Sequence, residues 1–115
     1  MRVTTDLWVS ALTRRVFAST GFAAIIQRGA TEAGAVFVLT RDRFGEVTLY
    51  GPAPQTSYDD ARPDERLFSK LETTLDEEIV TKRLEREKKF DPDIWVVEIE
   101  PGSVRIDELI AITTS

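Results

Sequence analysis

AVFVLTRDRFGEVTLYG, residues 35–51, reads as a β-hairpin and decides the fold class of the chain. Its first arm, AVFVLTR, is rich in β-branched and aromatic residues, and its second, EVTLYG, has the same character. Between them DRFG makes a tight connection, with Gly45 suited to a positive backbone φ. Val36 and Val38 alternate with Phe37 and Leu39, so both faces of the first arm are apolar. Such a strand is expected to be packed on at least one side.

Upstream of the hairpin, FAAIIQRG (residues 22–29) is a short apolar run closed by Gly29, which reads as a strand. The intervening RGATEAG has two glycines five apart but no GK[ST] after them. A strand rather than a helix follows, so it is not a phosphate-cradling loop. Its small residues instead suit close approach of another backbone. Further upstream, Leu7, Trp8, Ala11, Leu12 and Val16 recur at helical spacing. With Thr5 as a hydroxyl cap, Asp6 in the first turn and Gly21 as the left-handed stop, they predict a helix over residues 6–19. Arg14 and Arg15 fall toward its polar side.

Downstream, GPAPQTSYDDARPDE carries three prolines, a glycine and four acids, and is a loop. RLFSKLETT alternates as a half-buried strand would, with a helix as the alternative. Thr74 and Glu77 then stand three apart, in the spacing of a capping box. They open a helix to about Lys89 whose acids lead and whose bases trail, in the favourable sense for the macrodipole. Glu78 with Lys82 and Glu85 with Lys89 add pairs four residues apart. Its apolar stripe is thin: Leu75, Ile79, Val80 and Leu84, with Phe90 beyond. Pro92 stops it. IWVVEIE is a strand with Trp95, Val97 and Ile99 on one face, Pro101 and Gly102 turn the chain, and VRIDELIAI is an edge strand or a strand plus a helical turn. The order helix, strands, helix, strand predicts an α+β fold: an antiparallel or mixed sheet of four to five strands with two helices packed on it.

The 115 residues make one ordinary domain, and their 42% hydrophobic and 30% charged content is globular. There is no cysteine and no histidine. Disulfides, thiolate nucleophiles, zinc–thiolate sites, imidazole bases and Ser-His or Cys-His triads are therefore excluded. No run approaches the ~18 apolar residues of a membrane span, nor does the N-terminus read as a signal peptide, so the cytoplasm is the expected compartment and no membrane partner is expected. Net charge is −5 and unevenly spread. Residues 1–45 carry Arg2, Arg14, Arg15, Arg28, Arg41 and Arg43 against Asp6, Glu32 and Asp42, a net of +3, and the remainder carries −8. This spread lacks the dense clustering of a nucleic-acid site, which makes nucleic acid a disfavoured partner.

Asp59, Asp60, Asp64 and Glu65 carry carboxylates that a hard cation would accept, but without the ligand alternation and turn glycine of an EF-hand they read as solvated loop charge. Asp93 followed by Glu98 and Glu100 begins like a metal-dependent nuclease motif, yet has Glu where Lys is needed. No catalytic residue, metal site or cofactor is assigned. Candidate contact residues are Trp8 and Trp95, as anchors, with Arg14, Arg15, Arg28 and Tyr58. In so small a domain one or both tryptophans are expected in the core.

Four segments, RVTTDLWVSAL, RGATEAGAVFV, LYGPAP and FDPDIWVVEIE, occur in this order. Through them the chain resembles an uncharacterised bacterial family, domain of unknown function 1491. The resemblance implies a stand-alone intracellular small domain and carries over no functional residue. The leading expectation is a non-enzymatic binding or interaction domain that meets a protein partner, or itself, through its sheet and the GPAPQTSYDD loop. The alternatives are a hard-metal-dependent enzyme or small-ligand binder using carboxylates and arginines, and a weak nucleic-acid binder through the basic N-terminal third.

Overall fold

A computed structural model describes residues 3–54 and 66–113. Strands β1 (Phe22–Gln27), β2 (Val36–Arg41), β3 (Val47–Pro52), β4 (Leu67–Thr74), β5 (Trp95–Glu100) and β6 (Ala111–Ile112) form one sheet. Helix α1 (Thr5–Ala18) precedes them, and α2 (Glu77–Phe90) connects β4 to β5. The strand order is β1-β5-β2-β3-β4-β6. The sheet is mixed because β5, returning after α2, inserts between β1 and β2, antiparallel to the first and parallel to the second. The hairpin turns at Gly45, whose φ is +87°, while the Asp42 carboxylate accepts from the Phe44 and Glu46 amides.

The alternation of β2 sorts its side chains onto two cores. Val36 and Val38 join Trp95, Val97 and Ile99 under Val9, Leu12 and Val16 of α1. Phe37 and Leu39 join Ile94 and Val96 under Val80 and Leu84 of α2. Residues 67–74 form a strand, not a helix. A bulge between Leu49 and Tyr50 of β3 and this strand shifts the pairing from Glu72 to Lys70. Phe68 and Leu71, an odd number of residues apart, face opposite sides, Phe68 in the α1 core and Leu71 toward α2. The last segment is a 3-10 turn, Ile106–Glu108, followed by the two-residue β6 parallel to β4.

Several local expectations shift. The cap of α1 is Thr4, whose hydroxyl accepts from the Leu7 amide at 3.3 Å. Thr5 lies inside the helix, fully buried, donating to the Gly34 carbonyl at 3.0 Å. The left-handed residue after α1 is Thr20, at φ 63°, rather than Gly21. Gly21 is needed instead because a Cβ there would overlap the Glu100 carbonyl and lie 2.8 Å from the Gly102 nitrogen. The cap of α2 is Asp76, accepting from Glu78, and Thr74 ends β4 with its hydroxyl accepting from the Asp76 amide. An Asx cap two residues nearer the helix displaces the capping box because the strand holds Thr74 extended. The stripe of α2 is also narrower than expected. Leu75, Ile79 and Phe90 are exposed, and Val80 is its one buried side chain. Lys82 pairs with Glu78 at 3.6 Å and Arg83 with Glu87 at 2.9 Å, whereas no Glu85–Lys89 pair occurs among the described residues. No described helix is long and apolar enough to cross a membrane.

Candidate interaction surface

The two helices cover opposite halves of the sheet. On one side α1 packs over β1 and β5; on the other α2 packs over β3 and β4. α2 also covers Ile94 and Val96 at β5, so the bare half of this side is β1 alone among the described residues. Because Ala23 faces the α1 core, alternation turns Ala24 toward this bare half, Ile26 at the bulge lines the same side, and Phe22 at the start of the strand meets Phe17 of α1. Phe22 is 48% and Ile26 58% exposed.

Between α2 and the bare half runs a groove of about 330 Å³. Leu39, Ile94 and Val96 form its floor, Val80 and Leu84 one wall, and Ile26 the other. At one end Arg41, the last residue of β2, reaches Glu77 of α2 at 2.6 Å and Glu98 of β5 at 3.5 Å. The hydrogen bond from Arg41, reinforced by its charge, holds the Glu77 carboxyl below the usual carboxylate range. The same bond raises Arg41, partly against desolvation. Because the folded-state value of Glu77 is depressed, the pair adds stability above the ordinary carboxylate range and loses it as pH falls through the lowered value. Arg41→Gln is expected to return Glu77 toward the ordinary range, read by carboxyl NMR titration. Unchanged titration of Glu77 would rule out Arg41 as the cause. The Glu77 carboxylate is open to water, so high salt should shrink the difference.

A family model described as "Protein of unknown function (DUF1491)" matches residues 3–106. The chain belongs to the DUF1491 family. A solution structure of a protein from A. tumefaciens is 45% identical, with a TM-score of 0.83, covering 100% of this chain and 98% of that one. The crystal structure of a DUF1491 protein from Caulobacter crescentus is 32% identical, with a TM-score of 0.77, covering 99% of this chain and 100% of that one. An NMR structure of a DUF1491 protein from the same organism is 33% identical over 99% of both chains, with a TM-score of 0.76. No curated protein matches the chain.

Within this DUF1491 fold the residues singled out from sequence do not converge. Trp95 is 1% exposed and belongs to the α1 core. Trp8 is a half-buried lid on the same core, stacked on Phe68 at 5.7 Å with the Arg66 guanidinium over it. Arg14 is exposed on α1, and Arg15 donates to the Leu109 carbonyl at 2.9 Å. Arg28 pairs with Asp6 at 3.3 Å and lies over Trp95. Arg41 sits on the opposite side of the sheet from these, and Arg43 at the hairpin tip over Phe44. Tyr58, the carboxylates Asp59, Asp60, Asp64 and Glu65, and Arg2 lie outside the described residues. Among the described residues no group of three acidic side chains is placed to hold a metal ion. Glu98, from the nuclease-like spacing, is instead a partner of Arg41.

Sequence reasoning missed Arg41, Glu77 and Glu98 as a group, and Ile26 as the outer wall of the groove. The uncharged run 20–27 was the one signal for the latter.

Proposed function

We propose that this DUF1491 protein is a non-enzymatic interaction domain whose contact surface is the groove beside α2, with edge strand β1 as its border. The observation that carries this is the apolar groove beside α2, with exposed Ile26 as its outer wall. Exposed large apolar side chains gathered on one face mark contact surfaces. The chain's chemistry points the same way, since it has neither thiol nor imidazole. A cysteine-free chain also suits a reducing compartment, and we take the cytoplasm as its place.

Affinity capture with three forms of the protein tests this. Wild type and Leu75→Asp, which changes a 73% exposed side chain away from the groove, should retain a common partner. Ile26→Asp should lose it. Equal retention by all three forms, or no partner at all, would count against the reading.

A small-ligand site is the second reading, favoured by Arg41 closing one end of a cavity at the lower limit of ligand-pocket size. A thermal-shift series with amphipathic amines and carboxylates separates the two. A ligand at a hundred times its Kd adds about 2.7 kcal/mol, and no shift with any compound removes this alternative.

A further inference from the structure

The two helices have the same length but are fastened to the sheet in different ways. α1 buries Thr5, Val9, Leu12 and Val16. It is also tied near both ends, by the Thr5 hydroxyl to the Gly34 carbonyl at 3.0 Å and by Arg15 to the Leu109 carbonyl at 2.9 Å. α2 buries Val80 alone, with Leu84 half-buried one turn on. Among the described residues its one side-chain tie to the sheet is the bond from Arg41 to Glu77. It is undercut on both flanks as well. The groove of about 330 Å³ runs along Thr81, Glu85 and Lys88. On the other flank Arg83, Glu87 and Phe90 border a second hollow of about 340 Å³, lined from the sheet by Phe37 and Leu71. Ile94 lines both hollows, and Val80 with Leu84 forms the seam that parts them.

We propose that α2 is a lid: it undocks from the sheet as a unit while the α1 core stays closed, and so merges the two hollows into one apolar chamber. The device is independent of what occupies the contact surface. Its pivots are residues 75–76 and 91–92. Thr74 is paired with Val47 in the β3–β4 ladder, and the Asp93 carbonyl accepts from the Ala30 amide at 2.9 Å, so the chain is held on either side of them. Between these points no backbone hydrogen bond leads from α2 to the rest of the described residues.

The supports that make α2 a helix travel with it. Asp76 caps it, Glu78 with Lys82 and Arg83 with Glu87 join successive turns, and its acids lead while its bases trail. Undocking also strands little charge. Arg83 and Glu87 leave together, and Arg41, on losing Glu77, keeps Glu98 at 3.5 Å. A charge left without its partner in the interior is what would oppose such a movement. Lifting α1, by contrast, opens four buried side chains and breaks hydrogen bonds near both its ends, which amounts to unfolding the domain. Segments with few buried apolar contacts open below the global limit, and α2 is that segment here.

The chain has no cysteine, so a single introduced thiol can report on each helix. Val80→Cys and Val9→Cys put small apolar thiols at sites no more than 1% exposed. Under native conditions Val80→Cys is expected to react with a thiol reagent about tenfold faster, or more, than its own global unfolding in urea allows. Val9→Cys should react only at its global limit. The Val80→Cys rate should rise with urea, but less steeply than global unfolding, since a lid exposes part of the core. Adding Arg41→Gln should raise that rate further. In the wild type, amides of Val80 and Leu84 should exchange through a more frequent opening than those of Leu12 and Val97, with the same intermediate urea slope. Val80→Cys reacting only at its global limit overturns the lid. So does a rate flat in urea, because fraying exposes no core. Should Val80→Cys fail to fold, wild-type exchange decides: one opening shared by all four amides overturns the lid.

Discussion

Trp95→Ala is expected to destabilise the domain by about 3–5 kcal/mol, the range for truncating a fully buried aromatic. At roughly 4 °C per kcal/mol for a chain of this size, the melting temperature should fall by about 12–20 °C. The magnitude follows from position. Trp95 opens β5, opposite Val36 in the parallel ladder, and its amide donates to the Ala35 carbonyl at 2.8 Å. The indole is 1% exposed, and its Nε1 donates to the Ala30 carbonyl at 2.8 Å. It therefore fills the core and fastens the residue 28–34 loop to the sheet. Alanine leaves a cavity under α1 and strips the Ala30 carbonyl of its shorter hydrogen bond, leaving it the Gly34 amide at 3.3 Å. Trp95→Phe separates these effects, keeping most of the ring volume while losing the donor, and should cost about 1–3 kcal/mol. Urea denaturation followed by Trp8 fluorescence and by circular dichroism measures both. A Trp95→Ala loss below about 1 kcal/mol would contradict its place in the core.

The hairpin was legible because its evidence is local: β-branched alternation, a turn glycine and two apolar faces all lie within residues 35–51. The strand at 67–74 was legible only as one of two alternatives, because its short alternation does not exclude a helix, and its bulge was not legible at all. Caps were read a residue or two astray where tertiary contacts set the backbone. Thr20 takes the positive φ after α1 because Gly21 is wedged against Glu100 and Gly102. The candidate surface was the least legible part. Arg41 stands 36 residues from Glu77 and 57 from Glu98, and they meet because β5 inserts beside β2 after the α2 crossover. The apolar run of β1 was visible as a strand. Whether a strand ends a sheet depends on which strands pair with it, and no periodicity within the strand records that.

Gly29→Ala is the second large effect expected, about 3 kcal/mol or more. A Cβ at Gly29 would overlap the Asp93 carbonyl oxygen and lie 2.6 Å from both the carbonyl carbon and the oxygen of Ile94. These are backbone atoms just before β5, and they have little freedom to give way. The Asp93 carbonyl accepts from the Ala30 amide at 2.9 Å, and the Ile94 carbonyl accepts from Gln27 Nε2 at 3.0 Å. Relief requires pushing the loop away from the sheet, which breaks both bonds and pulls on the end of β1. Gly45→Ala is the matching control. Gly45 has a positive φ but nothing within 4 Å of a built Cβ, so its cost is conformational alone, about 1 kcal/mol. Thermal melts of the two variants should rank Gly29→Ala well below Gly45→Ala, and the reverse order would show that the loop is not pressed against β5. Because Gly29 lies two residues beyond β1, the milder damage to expect in folded Gly29→Ala is at the strand's C-terminal end. Amide exchange should quicken at Ile26 and Gln27 before it does at Phe22.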